Sequence, residues 1–300
     1  MQVSTKLFNE QSINRFSQLN SDIQTLQSKI ATGKNVLRAS DDPVAMINIS
    51  AAKEKLNQLE RYNVNIDRAV SRLSQAEIAI SDIQSVMTRI YELSIQVKND
   101  TYNNEDKRAI SLEMEELKQQ IIGIANSADA NGNTLFSGFS TNKSPFYEDD
   151  DSTIIYDGDQ GNHQLAISES IKISTSINGS DVFMRVKSED GYISIFDVID
   201  ETIQKIDNNE TNTISLTKIK DSISHLSNQV TKIGSNINRA ETQQQNLNNR
   251  ILNLTNTLSG IEDTDIASVV TELQSQLVSR DAAQQTFMMI NQTNLFDYVR

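Results

Sequence analysis

The sequence of 300 residues contains no cysteine and no tryptophan, and it is poor in glycine, proline and aromatic residues. The lack of cysteine excludes disulfide bonds and thiolate metal sites. With 37% hydrophobic and 5% aromatic residues, the composition is typical of long, thin helical packing, in which little of each helix is buried. The chain has only two prolines, so each of them marks a strong local interruption.

The chain also has fewer basic than acidic residues. The formal net charge is −13 and the isoelectric point is about 4.7, so we expect neither nucleic acid nor an anionic membrane as a partner. No stretch approaches roughly 18 consecutive apolar residues, which predicts that the chain does not insert into a membrane. The start of the chain lacks the basic and apolar regions of a cleaved signal peptide.

The strongest periodic signal is a heptad seam late in the chain. Apolar residues recur there in steps of three and four, and Gln244 is the one polar residue among the seam positions. A 3.5-residue repeat of this length predicts a helix that supercoils with a partner. Ordering the helix costs about 1–2 kcal/mol per residue, whereas full burial of an apolar side chain returns about 1.5–3 kcal/mol, so the helix needs a partner. The seam positions are Leu216, Ile219, Ile223, Leu226, Val230, Ile233, Ile237, Ala240, Gln244, Leu247, Ile251, Leu254, Leu258 and Ile261.

Two more amphipathic helices, at about 43–98 and about 104–127, can supply that partner. In the first, the apolar spacing slips between Leu73 and Ile80, which predicts a local change in the supercoil. The second opens with NNED, a capping signal with acids in the first turn. We therefore expect a mainly α fold, a long antiparallel coiled-coil bundle formed by N- and C-terminal segments.

The middle of the chain has a different character. Residues 136–196 hold five glycines and Pro145, and runs such as STIIYDGD, HQLAISES and DVFMRVKS are typical of strands joined by turns. Acids outnumber bases there by ten to four, so we expect a small acidic β domain inserted in the helical hairpin. The predicted domains are terminal helices at 1–42 and 263–300, a coiled-coil rod domain at 43–135 and 197–262, and the inserted outer β domain at 136–196.

The stretch LRASDDPVAM predicts a helix joint at Asp41, Asp42 and Pro43. Asp42 can cap a helix whose first residue is Pro43, where a missing N–H does no harm, and the proline keeps Asp42 out of the helical region. An ordinary interhelical turn would have the same local sequence. The similar break at residues 261–267, IEDTDIA, favours a joint, because a heptad seam ends and a new amphipathic helix begins there too.

The ends of the chain carry apolar seams that are too short to hold a stable free pair of helices. We therefore expect these ends to be loose in the free subunit and to order against neighbouring copies, where apolar surface is buried only by a neighbour. The alternative is that they seal the tip of one monomeric bundle. The residues predicted to pack between subunits are Leu7, Phe8, Ile13, Phe16, Leu19, Ile23, Leu26, Ile30, Ile266, Val270, Leu273, Leu277, Phe287, Ile290, Leu295, Phe296 and Tyr298.

Catalytic and metal chemistry find little support. The two histidines, His163 and His225, are far apart in sequence, and no pair of histidines one helical turn apart accompanies a glutamate. The segment 157–162, DGDQGN, is a poor calcium loop, because its glycine is misplaced and position twelve is Ser168. We predict no enzyme, no catalytic residue, no metal site and no cofactor.

Four spaced motifs carry a resemblance to a known family. They are IATGKNVLRASDDPVA near the start, NGNTLFSGFSTNKSPF and YDGDQGNHQLAISES with NGSDVF in the middle, and IEDTDIASVVTELQSQLVSRDAAQQTFMMINQTNLFDYV at the end. In this order, over nearly the whole chain, they resemble the flagellin superfamily, and within it the hook–filament junction proteins. The NLFDYV close differs from the usual tail of a filament flagellin.

The resemblance implies a structural subunit of the bacterial flagellum that forms a junction layer between hook and filament and templates flagellin assembly. It implies a homo-oligomer in a helical layer, with the first hook–filament junction protein and flagellin as neighbours. It also implies an extracellular location reached through the flagellar type III pathway, without a cleaved signal peptide and with an export chaperone before secretion. The alternatives left open are a filament flagellin and a flagellin-like surface adhesin.

Overall fold

The fold was analysed in a computed structural model. The structure describes the backbone over six ranges of the chain, and the side chains of those ranges between residues 6 and 289. Those ranges are 2–99, 102–129, 131–141, 143–150, 152–188 and 191–296.

Long helices dominate the chain, as predicted. The capping signal NNED is confirmed, because the Asn103 side chain accepts hydrogen bonds from the backbone N–H groups of Glu105 and Asp106, and the Asp106 carboxylate accepts one from the Asn103 N–H. The helices are α1 (Gln2–Thr32), α2 (Pro43–Val97), α3 (Asn104–Ala125), α4 (Ile195–Asp207), α5 (Leu216–Glu262) and α6 (Ile266–Phe296).

The predicted β region consists of three short antiparallel strand pairs. They are β1 (Phe146–Glu148) with β2 (Ile154–Tyr156), β3 (Gln164–Ala166) with β4 (Lys172–Ser174), and β5 (Val186–Ser188) with β6 (Gly191–Ile193). The strand predicted at DVFM is wrong, because Ser180–Met184 forms a π-helical turn. Val182 and Phe183 are both fully buried in this turn.

The chain divides into two compact units. Unit 1 comprises Met1–Gln58 with Arg250–Arg300, and unit 2 comprises Leu59–Asn249. The predicted division into terminal, rod and outer domains stays a prediction.

In unit 2, α2 and α5 run antiparallel. The Asn63 amide donates to Asn248 Oδ1 at 2.8 Å, and the amide of Gln244, the polar seam residue, donates to Asp67 Oδ1 at 2.6 Å. The apolar spacing of α2 does not slip, because the buried Ala76 continues the seam between Leu73 and Ile80; the predicted change in the supercoil there stays a prediction. Buried seam residues of α2 and α5 recur every seven residues: Leu59, Ile66, Leu73, Ile80 and Met87 in the first, and Ile219, Leu226, Ile233, Ala240 and Leu247 in the second.

An aromatic cluster forms the core of the β region in unit 2. Phe146 lies 5.4 Å from Phe183 and 5.6 Å from Phe196, measured between ring centroids, and Phe136 lies 5.1 Å from Phe183. Phe196 belongs to α4, which the sequence reading did not predict. The Ser194 side chain caps α4 by accepting the N–H of Phe196 at 3.1 Å, and one whole face of the helix is buried.

Two cations, the partly buried Arg72 and the buried Lys118, bind acids in unit 2. Arg72 donates to Asp129 Oδ2 at 3.0 Å and also to the carbonyls of Thr134 and Thr175, so it ties α2 to the loops of the β region. Lys118 of α3 is 3% exposed, and its Nζ lies 2.6 Å from Asp200 Oδ1 of α4. Burial raises the pKa of Asp200 above its ordinary value, although Lys118 opposes this shift.

Candidate assembly surface

In unit 1, α1 and α6 pack against each other along antiparallel directions. The rings of Phe16 and Phe287 meet edge to face with centroids 5.9 Å apart. Ile23 and Leu26 of α1 and Val269 of α6 are buried in unit 1. The two ends of the chain therefore lie side by side in one unit.

Many apolar side chains of this helix pair are not covered by it. Leu7 and Ile13 of α1 are more than half exposed, and Phe8 is exposed as well. On α6, half or more of each of four apolar side chains is exposed: Ile266, Val278, Met288 and Met289. We call these seven residues of α1 and α6 the assembly surface, because exposed apolar area of this kind gains free energy when another surface covers it.

The described side chains among the residues predicted to pack between subunits fall into three groups: buried, exposed and half-buried. Ile23 and Leu26 are buried within unit 1, whereas Leu7, Phe8, Ile13 and Ile266 belong to the assembly surface. The side chains of Ile290, Leu295, Phe296 and Tyr298 lie outside the described residues. The third group is half-buried between the two helices and solvent, and it consists of Phe16, Leu19, Ile30, Val270, Leu273, Leu277 and Phe287.

The segment from Gly33 to Asp42 joins α1 to α2. Asp42 caps α2 as expected for a residue before Pro43, since its Oδ1 accepts the N–H of Ala45 at 2.9 Å. Asp41 Oδ2 accepts the N–H of Arg38 at 3.0 Å, which fixes the turn before the cap. Gly33 ends α1 with a positive φ of 69°, a conformation that glycine adopts without strain.

The joint between α1 and α2 binds directly to the joint between α5 and α6. The Asn35 N–H donates to the Glu262 carbonyl at 2.7 Å, and the Thr264 N–H donates to the Gly33 carbonyl at 2.9 Å. Asp265 then caps α6 by accepting the N–H of Ala267 at 3.0 Å. We call this contact of residues 33–35 with residues 262–264 the double joint.

A carboxylate holds the double joint together. Glu262 accepts hydrogen bonds from Lys34 Nζ at 2.6 Å and from Lys53 Nζ at 2.8 Å. Its side chain is 10% exposed, and the two lysines lower the pKa of Glu262 below its ordinary value. The Glu262 carboxylate also raises the pKa of Lys34. Both joints are therefore fixed by one anionic side chain, which the sequence analysis did not single out.

Other exposed apolar residues of unit 1 were also missed by sequence reasoning. Val44, Ile47 and Leu252 are each more than half exposed. Val44 and Ile47 are spaced by three residues in the first turns of α2 and precede its buried seam, which is a signal that could have identified them.

His163, His225 and Asp159, the residues considered as metal ligands, make contacts within the local structure. The His163 ring lies edge to face against Phe139, 4.4 Å away, and His225 Nε2 lies 3.0 Å from the Asp181 carbonyl. Asp159 Oδ1 accepts the N–H groups of Phe139 and Gly161, each at 2.7 Å, so it fixes the loop predicted to be a poor calcium site. Within the described residues, no cluster of three or more His, Cys, Asp or Glu side chains could hold a metal ion.

None of the described helices combines the length and apolar character needed to cross a membrane.

Two family patterns match the chain. The bacterial flagellin N-terminal helical region matches residues 3–141, and the bacterial flagellin C-terminal helical region matches residues 216–299. Together the two regions span most of the chain.

Individual relatives match along almost the full length. Flagellar hook-associated protein 3 of Salmonella typhimurium is 22% identical over 320 aligned positions, which cover 100% of both chains. Flagellin of Bacillus subtilis is 27% identical over 293 positions, which cover 93% of each chain.

Solved structures show the same fold. The flagellar hook-associated protein 3 of Legionella pneumophila gives a TM-score of 0.65 at 18% identity, covering 71% of this chain and 98% of that one. A hook-associated protein from Vibrio parahaemolyticus gives a TM-score of 0.67 at 17% identity, covering 74% of this chain and 100% of that one. With both terminal regions matched, the chain belongs to the flagellin family, whose members are structural proteins of the bacterial flagellum and not enzymes.

Proposed function

We propose that this chain forms the junction layer between hook and filament and templates the assembly of flagellin. The full-length similarity to hook-associated protein 3 supports the junction role. The observation that carries the proposal is the assembly surface, because a monomer that exposes Leu7, Ile13, Val278 and their neighbours has a reason to associate with copies of itself.

In this proposal the subunits form a helical layer in which α1 and α6 of neighbouring copies cover one another's apolar side chains. The predicted packing residues of both helices contribute, whether they are exposed or half-buried in the free chain. The first hook–filament junction protein contacts the layer on one side and flagellin contacts it on the other. The subunit reaches the outside of the cell through the flagellar export pathway, held by a chaperone beforehand, and it acts there as part of the extracellular flagellum.

A filament flagellin is the second candidate. The 27% identity to the flagellin of Bacillus subtilis favours it, since that identity exceeds the 22% to hook-associated protein 3 of Salmonella typhimurium.

A deletion strain distinguishes these functions. If the chain is a junction subunit, cells without it keep their hooks, lack filaments and shed a different flagellin into the medium. If the chain is the filament flagellin, the deletion strain sheds no flagellin at all. Filaments that grow normally on the hooks of the deletion strain would contradict both functions.

A truncation tests the assembly surface in the same strain. Removal of residues 287–300 is expected to leave a folded, soluble protein, because the buried core of unit 2 is untouched. The truncated protein is not expected to restore filaments, because it lacks the end of α6. A matched control is Tyr192→Ala, which alters an exposed aromatic side chain of unit 2 and should restore filaments fully. A truncated protein that caps hooks and supports filament growth would falsify the proposed role of α6.

A further inference from the structure

The described methionine side chains are exposed, half-buried or fully buried. Met288 and Met289, adjacent on α6, are 56% and 68% exposed. Met87 and Met114 are fully buried in unit 2, and Met46 is half-buried in unit 1. Because the chain has no cysteine, methionine thioethers are its only readily oxidised sulfur groups.

Peroxide converts an exposed thioether to a sulfoxide. The sulfur lone pair attacks one oxygen of hydrogen peroxide, the O–O bond breaks, and the products are methionine sulfoxide and water. The sulfur is oxidised by two electrons and the peroxide is reduced. The reaction replaces a flexible apolar side chain with a polar one, which disrupts methionine-containing interfaces.

The position of the two methionines makes this change consequential. Phe287, the preceding residue, faces α1 through its contact with Phe16. Met289 lies about three helical turns beyond Val278, so the two side chains share one outward face of α6. A sulfoxide at Met288 or Met289 therefore places a strong hydrogen-bond acceptor within the assembly surface.

We propose that Met288 and Met289 form an oxidation site at which peroxide blocks the assembly of free subunits. The site is open in the free chain, and neighbouring copies cover it once a layer has formed. This inference rests on the proposed function for its effect on assembly, but its chemistry can be tested without assembly.

The first experiment measures oxidation of the free chain. Dilute full-length protein is treated with hydrogen peroxide, and the sulfoxide at each methionine is quantified over time by peptide mass spectrometry. Met288 and Met289 are expected to oxidise at least tenfold faster than Met87 and Met114, with no loss of helical circular dichroism. Comparable rates at all four positions would overturn the inference.

The second experiment measures joining of oxidised subunits to purified hooks. Each protein is compared with its own untreated sample, so that any effect of a substitution on joining cancels. Peroxide should reduce joining by the wild type at least fivefold, and methionine sulfoxide reductases A and B should restore it. The double variant Met288→Leu, Met289→Leu should lose less than twofold, whereas the control Met46→Leu should lose as much as the wild type.

Equal losses in the wild type and the double leucine variant would refute the site. Failure of untreated wild-type protein to join hooks would instead count against the proposed function, and the rates from mass spectrometry would still decide whether the oxidation site exists.

Discussion

Unit 1 and unit 2 are both built from long helices, but they bury their apolar residues to different extents. Unit 2 contains a continuous core from the seam residue Leu73 to Ile233, including the aromatic cluster. In the described part of unit 1, the buried apolar side chains are Ile23, Leu26, Val36, Ile49 and Val269. The same kind of secondary structure is thus supported by very different amounts of tertiary packing.

The difference indicates where each unit obtains its stability. A helix in a globular protein is stabilised mainly by packing of its apolar face, and isolated helices are marginal in water. Unit 2 supplies that packing within one chain. Unit 1 exposes the apolar side chains of the assembly surface, so additional copies of the chain can supply what the single chain lacks.

The largest expected contrast is in amide hydrogen exchange of the dilute monomer. Core amides of α5 within unit 2 should exchange only on global unfolding, whereas amides of residues 6–30 in α1 should exchange by local opening. We expect protection to differ by at least a hundredfold, which exchange monitored by mass spectrometry measures directly. Strong protection of α1 in the monomer would remove the distinction between the units.

Removal of a core aromatic ring tests the same contrast by mutation. Phe196→Ala in unit 2 should lower the free energy of unfolding by about 3–5 kcal/mol, because it leaves a cavity among Phe146 and Phe183. The matched change in unit 1 is Phe287→Ala, which removes a half-buried ring. It should change the free energy of unfolding of unit 2 by less than about 0.5 kcal/mol. Urea unfolding followed by circular dichroism compares them, and similar losses in both variants contradict the contrast.

The buried ion pair of unit 2 gives a pH-dependent prediction. Lys118→Met leaves Asp200 without its cation and should destabilise the protein by about 2–3 kcal/mol at neutral pH. This loss is smaller than that for a fully buried pair, because Asp200 is partly exposed. Without the lysine, the pKa of Asp200 rises further above its ordinary value. A raised carboxyl pKa favours the folded state below the ordinary value and disfavours it as the pH rises.

The destabilisation by Lys118→Met should therefore shrink as the solution is acidified towards the ordinary carboxyl pKa. Unfolding by urea at neutral and at mildly acidic pH measures this trend. Lys220→Met is the control, because Lys220 is exposed on α5 and its loss should have little effect at either pH. A loss for Lys118→Met that does not depend on pH would show that packing, rather than charge, is responsible.

The smallest expected effect concerns the double joint of unit 1. Glu262→Gln weakens both lysine contacts and should destabilise the joint by about 1 kcal/mol. The Asn35 amide, which bonds across the joint, should then exchange roughly fivefold faster. Because the pKa of Glu262 is lowered in the folded chain, its contribution is complete above the ordinary carboxyl pKa and is lost as the pH falls through the lowered value. The variant should therefore lose this acid dependence.

Exchange of the Asn35 amide, monitored by NMR at several pH values, checks both parts of the prediction. Glu272→Gln is the matched control on α6, since Glu272 is exposed and lies away from the joint. An Asn35 amide that exchanges at the same rate in all three proteins would mean that Glu262 does not hold the joint.

Sequence periodicity predicted the helices of unit 2 well, because buried positions there follow the heptad repeat closely. The supposed slip near Leu73 arose because a small residue, Ala76, was not counted as apolar. Helix α4 was missed although Phe196, Ile199, Ile203 and Ile206 have helical spacing, because the strand signals that precede it dominated the interpretation of that region.

The assembly surface was less predictable, for a physical reason. Ile23 and Ile13 are equally apolar, and both fit a helical seam, yet the first is buried and the second is exposed. Which apolar residue of α1 faces α6 depends on the rotation of the two helices about their axes. In α6 apolar residues occur on all sides, so composition alone does not identify the contacting face.

The double joint links residues that are very far apart along the polypeptide. The Asn35 N–H donates to the Glu262 carbonyl and the Gly33 carbonyl accepts the Thr264 N–H, so these partners follow after almost the entire chain. A fragment that stops before residue 262 keeps the local contacts of Asp41 and Asp42 but lacks every hydrogen bond and ion pair of the double joint. Only a finished molecule can therefore present its N-terminal helix in the right direction, which would keep incomplete copies out of an ordered polymer.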